Sequence, residues 1–301
     1  MSPQVLKRIA LALAVALVIW GALALKGRRR WDQSGGLSLP HLGASAVAEI
    51  ALRRGRDTVV LHRQGDSWTV NGFPADPNAV KNFFDALADS STNSELIAQS
   101  ASSQARLSVD TVNGKRLTIT ADGKAAFDVW VGTRGPDFEG FYVRPQGSDF
   151  VYLLRGRFAD LLALGEPEWR EKQIASLQPD NIGKVEVMRG KARWSLVRDG
   201  HAWRLPGGPA DSTKVARFLA QVSTLRATGF PESTELDSIS FAHPNRSLIL
   251  SAADGRTLLS LVFDSTRAGS FWVRGPTGGA IYRLDPRTAD LATPAESTLK
   301  R

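Results

Sequence analysis

The stretch from Ile50 to Ser90 recurs 135 residues further along the chain, so whatever supersecondary unit it builds must be built twice. At that offset Arg54 falls on Arg189, Gly55 on Gly190, Leu61 on Leu196, Arg63 on Arg198, Gly65 on Gly200 and Trp68 on Trp203. Gly72, Pro74, Ala75 and Asp76 then meet Gly207, Pro209, Ala210 and Asp211, and Val80 and Phe83 meet Val215 and Phe218, giving 12 identities in 41 positions. With small indels the match resumes later. Asp122-Gly123-Lys124 answers to Asp254-Gly255-Arg256, Phe141-Tyr142-Val143-Arg144 to Phe271-Trp272-Val273-Arg274, and Ala159-Asp160-Leu161 to Ala289-Asp290-Leu291. The repeated positions are turn and core residues, which specify architecture and name no reaction.

Within one copy, Ala48, Ile50 and Leu52 alternate on one face, and Gly turns separate them from strands over Thr58–Arg63 and Ser67–Val70. Pro74-Ala75-Asp76-Pro77 then opens a helix. Asp76 is the cap, Pro77 fits the first turn, and Val80, Phe83, Phe84 and Leu87 recur at helical spacing. Asp211 opens the corresponding helix through Val215, Phe218, Leu219 and Val222. After a polar, unpatterned stretch over 90–103, strands are expected at 116–120, 125–131, 140–144 and 150–154, with a short helix at 158–164. The fold class is therefore α+β: two tandem units of antiparallel sheet with packed helices, at 45–165 and 177–292. A charged connector, 166–176, joins them, and a tail, 293–301, follows.

Ile9 to Leu25 is an uncharged run of 17 residues, about 25 Å of helix and so enough for a bilayer core, which predicts a transmembrane anchor. Residues 1–8 are then cytoplasmic, and 26–44 form a basic, Gly-rich tether to the body. Ala22-Leu23-Ala24 offers the alternative of a cleaved signal peptide, against which stand the length of the run and the basic cluster Lys26, Arg28, Arg29 and Arg30. Those four cations against Lys7 and Arg8 oppose export by the positive-inside rule. The formal charge of +8 belongs mostly to this end: residues 1–30 hold six of the 38 basic residues and no acidic one, which leaves 32 basic against 30 acidic groups in the remainder. A near-neutral body argues against nucleic acid as a partner. Cysteine is absent, which excludes disulfides and thiolate metal sites and leaves the compartment open.

Glu166-Pro167-Glu168-Trp169-Arg170-Glu171-Lys172-Gln173-Ile174 joins two units that each read strand, strand, Gly-x-x-Trp, Pro-Ala-Asp, helix, behind one apolar amino-terminal segment. This pattern over roughly 45–290 resembles the domain-of-unknown-function family 4340. The resemblance implies a single-pass protein of the bacterial inner membrane with a periplasmic body, often encoded beside subunits of an uncharacterised ABC transporter of the gliding-motility type. It implies no catalytic residue, cofactor or metal ligand.

The residues themselves offer little reactive chemistry. His62 aligns with Val197 and His201 with Asp66, while His41 and His243 have no counterpart, so no pair has ligand spacing. Asp137 and Glu139 sit in a Gly/Pro turn, which favours a solvated loop over a glycosidase pair. Trp68 and Trp203 follow a Gly turn and precede the helix cap, where an indole covers helix against sheet. The candidate interaction surface is Tyr142 with Arg144 and Trp272 with Arg274, placed by period-two alternation opposite Phe141 and Phe271. An exposed aromatic beside a guanidinium suits a protein, sugar or lipid headgroup, whereas a covered one merely closes the second face of its own sheet. The leading function is a non-catalytic, membrane-tethered accessory protein serving a transport complex. The alternatives are an envelope hydrolase acting on peptidoglycan or a lipid-linked sugar with a site between the repeats, and a periplasmic module for a small ligand.

Overall fold

The computed structural model describes residues 36–55, 57–265, 269–275 and 279–301. The expected anchor, 9–25, lies outside the described residues. No helix among those described is long and apolar enough to cross a membrane. The chain divides between Glu171 and Lys172 into two compact units.

Unit 1 comprises β1 (Val47–Arg54), β2 (Asp57–Gln64), β3 (Ser67–Val70), β4 (Phe73–Pro74), α1 (Pro77–Leu87), β5 (Asn93–Ala98), β6 (Lys115–Ala121), β7 (Lys124–Arg134), β8 (Phe141–Pro145), β9 (Val151–Arg155), α2 (Arg157–Leu161) and α3 (Glu166–Trp169). Its nine strands form one antiparallel sheet in the order β4-β3-β2-β1-β6-β7-β8-β9-β5. Unit 2 comprises β10 (Lys184–Arg189), β11 (Ala192–Asp199), β12 (Ala202–Leu205), β13 (Gly208–Pro209), α4 (Ser212–Ser223), β14 (Arg246–Ser251), β15 (Thr257–Ser265), β16 (Phe271–Arg274), β17 (Ile281–Leu284) and α5 (Pro286–Ala292). Its eight strands run β13-β12-β11-β10-β14-β15-β16-β17, which is the order of unit 1 without the last strand.

The meander glycines explain the first hairpins. Gly65 and Gly200 have φ of 63° and 60°, a conformation that costs glycine little, and each lets a strand return at once on its neighbour. In consequence Trp68 pairs with Arg63 and Trp203 with Arg198 at the same register, and both indoles are buried. Strand alternation aims Val59, Leu61, Leu117, Ile119, Phe127, Val129 and Val131 at one face, where α1 covers them. The helix presents Val80, Phe83, Phe84 and Leu87, with Phe84 5.7 Å from the Trp68 ring and Phe83 5.4 Å from Phe158. Each such buried phenyl contributes about 2 kcal/mol. In unit 2, α4 buries Val215, Phe218, Leu219 and Val222 in the same way, with Phe218 6.4 Å from Trp194.

Both long helices start as the sequence predicts. Asp76 accepts from the Asn78 amide at 2.8 Å, and Asp211 from the Thr213 and Lys214 amides at 2.9 and 3.0 Å. Beside each cap the chain returns as a strap. The Asp76 amide donates to the Trp169 carbonyl at 2.8 Å and the Asp211 amide to the Leu299 carbonyl at 2.9 Å, with single bridges Ala75–Arg170 and Ala210–Lys300 alongside. The first part of the connector and the tail are thus the same element in two units: 166–171 closes unit 1 as 296–301 closes unit 2.

Two expectations need correction. The stretch over 90–103 contains β5, which pairs with β9 from Asn93–Arg155 to Ala98–Val151. As an edge strand with no fully buried side chain it carries no hydrophobic period to read. The tether over 26–44 is packed chain from Leu37 onward: Leu37 is buried, Leu39, Leu42 and Ala44 lie against the core, and the Leu37 carbonyl accepts from Ser94 Oγ at 3.2 Å. Its glycines mask an apolar rhythm that covers an otherwise open part of the sheet.

Replacing Asp76, or the α5 cap Asp285, by Ala is expected to cost about 1 kcal/mol each, with Asn tolerated, as read from urea unfolding midpoints. The Asp285 carboxyl accepts from the Thr288 hydroxyl at 2.7 Å and amide at 2.9 Å, which holds its pKa below the ordinary 3.8. A depressed pKa means the unfolded chain takes up the proton first as pH falls. The stabilisation should therefore be complete above pH 4 or so and fade as pH drops through the folded value, and Asp285→Ala should lose that acid dependence.

Candidate functional site

Alternation places Tyr142 and Arg144 on the face opposite the core, as expected, but the chain covers them. The loop 101–114 lies on that outer face, where Leu107, Val109 and Val151 form a small second core against Trp130 and Tyr142. Gly132 permits the approach, since a Cβ there would lie 2.1 Å from the Leu107 carbonyl. Arg144 is buried at 7% exposure, and its Nε and Nη1 donate to the Val109 and Ser148 carbonyls at 2.8 and 3.0 Å. Burial pulls its pKa down from the ordinary arginine value, and the carboxylates of Asp149 and Asp110 oppose that pull.

Unit 2 seats its outer segment differently. Asp264 stands where unit 1 has Gly132, and accepts from the Ser240 amide at 3.0 Å. Arg274 is exposed, with its guanidinium 4.4 Å from the Phe241 ring, while Trp272 is buried at 4% exposure. Of the four residues read as an interaction surface, Arg274 is exposed, Tyr142 partly so, and Arg144 and Trp272 are buried. Each aromatic-arginine pair lies under or beside the segment that crosses the outer face of its own sheet.

The remaining polar candidates are dispersed. All four histidines are exposed, and His62 Nδ1 lies 3.5 Å from Glu49. Asp137 accepts from the Glu139 amide at 3.1 Å and Arg155 at 3.2 Å, contacts that hold its carboxyl below the usual range. Among the described residues no three His, Asp or Glu side chains are grouped to hold a metal ion.

Within unit 2, α4, α5 and the turn at Glu296–Leu299 enclose a cleft of about 780 Å³. Phe218, Leu291, Pro294 and Leu299 give it apolar walls, and Arg189, Lys214, Arg217 and Arg287 bring four cations. Its one carboxylate, Asp290, is already held by Arg246 at 2.5 Å and Arg189 at 2.9 Å. Lys214 Nζ donates to the Lys300 carbonyl at 2.7 Å. Among the described residues Arg217 and Arg287 have no carboxylate within ion-pairing distance. Sequence patterning missed this site because its residues come from three separated segments and only Arg189, Phe218, Arg287, Asp290 and Leu291 have matching residues in unit 1. The signal that could have found it is the pair Lys214 and Arg217 on one helix face, with no counterpart at Ala79 and Asn82.

An α+β protein of two antiparallel sheets, each covered by one long helix and a capping strap, is what the geometry defines. A model of the domain of unknown function DUF4340 matches residues 68–244, more than half of the chain, and the protein belongs to that family. No curated protein and no solved structure matches the chain.

Replacing Arg144 by Met should remove the donor of the buried Val109 carbonyl, costing roughly 1–3 kcal/mol in urea unfolding and accelerating amide exchange over 101–114. Arg274→Met, which removes an exposed cation–π contact, should cost no more than about 1 kcal/mol.

Proposed function

We propose that this is a non-catalytic, membrane-tethered accessory protein of the bacterial envelope, held in the inner membrane by Ile9–Leu25 with both units on the periplasmic side and serving an ABC-type transport complex. The observation that carries this reading is the uncharged 17-residue run, flanked by Lys7 and Arg8 before and a basic cluster after, in a chain of family 4340. The two units are copies of one fold made by duplication. Support comes from the shared strand order, the matched Trp68 and Trp203, and the paired caps and straps. A duplicated scaffold whose repeated residues are turns, caps and core offers binding faces and no repeated reactive group. The small-ligand reading draws support from the cleft of unit 2 and is compatible with the accessory role.

Alkaline phosphatase and green fluorescent protein fused after Arg301 test the topology, because the first is active only when exported and the second fluoresces normally only when retained. The expected pair is phosphatase-positive and non-fluorescent, with the chain resisting carbonate extraction from membranes. A fluorescent, phosphatase-negative pair, or a mature terminus beginning at Leu25, would remove the tethered periplasmic reading. Membrane transporter subunits should co-purify with the detergent-solubilised chain, and their absence would remove the transport role.

A further inference from the structure

We infer that the cleft of unit 2 binds an amphipathic anion: a phosphate group, held by Arg217, Arg287 and Lys214, that carries an apolar chain lying on Phe218, Leu291 and Leu299. The inference rests on a comparison that the molecule itself supplies. Residues 157–171 and 287–301 correspond at an offset of 130, since the strap bonds from the cap amides of Asp76 and Asp211 end on Trp169 and Leu299. Where unit 1 places the Trp169 indole, 5.9 Å from the Phe83 ring, unit 2 places the smaller Leu299 and is hollow between α4, α5 and the final turn.

The charges diverge at the same place. Lys214 and Arg217 replace Ala79 and Asn82, and Thr298 replaces Glu168, whose carboxylate accepts from the Gly165 amide at 3.0 Å. Two changes toward positive charge and one away from negative thus coincide with the loss of a space-filling ring. Structural need does not account for Lys214 and Arg217, because unit 1 closes the same fold with Ala79 and Asn82 in their places, whereas Arg287 has its counterpart in Arg157. Asp290 does not neutralise them either: both its nearest partners, Arg246 and Arg189, lie at the sheet end of the cleft. Lys214 gives one of its three donor positions to the Lys300 carbonyl and keeps two, and the forked guanidinium groups of Arg217 and Arg287 suit phosphate oxygens. The apolar wall excludes a purely ionic ligand as the best fit. This proposal does not depend on the membrane anchor or the transport role, so either can fail alone.

The full-length protein in dodecyl maltoside is titrated calorimetrically at low salt with dihexanoyl phosphatidic acid, with inorganic phosphate and with uncharged dihexanoyl glycerol. Phosphatidic acid should bind at least about tenfold more tightly than either, since each of the others lacks half of the recognised chemistry. Joint substitution Arg217→Gln and Arg287→Gln should weaken it about tenfold or more with the melting temperature unchanged, both side chains being exposed. Leu299→Trp, which restores the ring of unit 1, should weaken phosphatidic acid and leave phosphate unaffected. Lys81→Gln with Arg157→Gln, which removes two cations from unit 1, should change nothing. Phosphate binding as tightly as phosphatidic acid, undiminished binding by the Arg217/Arg287 variant, or an equal loss in the unit 1 variant would each overturn the assignment.

Discussion

Each unit depends on covering one face of a sheet that is wider than any helix it can afford. Nine strands spaced about 4.8 Å apart extend roughly 38 Å before twist, whereas a helix is about 10 Å across, so α1 alone leaves much of the apolar face open. The chain completes the cover with elements that have little regular structure: the leading segment through Leu37, Leu39 and Leu42, the short α2 with Phe158, and the strap that brings in Trp169. The strap is the joint of this assembly. Its carbonyl takes the amide of the cap residue, so one short contact orients the helix start, satisfies a backbone group that would otherwise be orphaned, and places a large side chain between the helices.

That dependence explains which parts of the fold were legible. Strands β2, β3, β6 and β7 announce themselves by alternation, β8 and β9 by short apolar runs, and α1 and α4 by Asp caps followed by apolar residues at helical spacing, because in those elements local preference and burial demand the same residues. The strap and the leader have no such local signature. Trp169 and Leu37 are buried by partners far away in sequence, and their neighbours Glu166, Glu168, Gly36 and Ser38 read as connector or tether. Strand β5 was hidden for the complementary reason: backbone bonds to β9 hold it, and backbone bonding leaves no mark on side-chain pattern. Among the described residues unit 2 keeps a single bridge, Gly229–Arg283, at the matching edge.

The aromatic-arginine strands show how alternation can assign a face while leaving its exposure open. Alternation fixes that Tyr142 and Arg144 point away from the core, but whether that side is wet depends on a loop whose sequence has no period. Unit 1 lays Leu107 and Val109 over it, and the buried guanidinium that results satisfies the Val109 carbonyl of the covering loop and the Ser148 carbonyl of the turn after β8. Unit 2 uses the Asp264 carboxylate and a stacked Phe241 in the same location. The two units thus preserve the need for a second-face cover and solve it with unrelated contacts.

Divergence of this kind separates what the architecture requires from what it merely permits. Caps, strap bonds and turn glycines occur in both units, so substitutions there damage the fold itself. The outer loops occur in both in altered form and tolerate exchange so long as the second face is closed. At the cleft, Lys214, Arg217 and Leu299 occur in one unit only. Replacing an indole by a leucine at the strap removes packing that unit 1 uses, and gathering cations around the resulting hollow adds repulsion that an empty site does not relieve. A feature that weakens the fold on two counts, and that the sister unit shows to be dispensable for folding, is accounted for by what it holds.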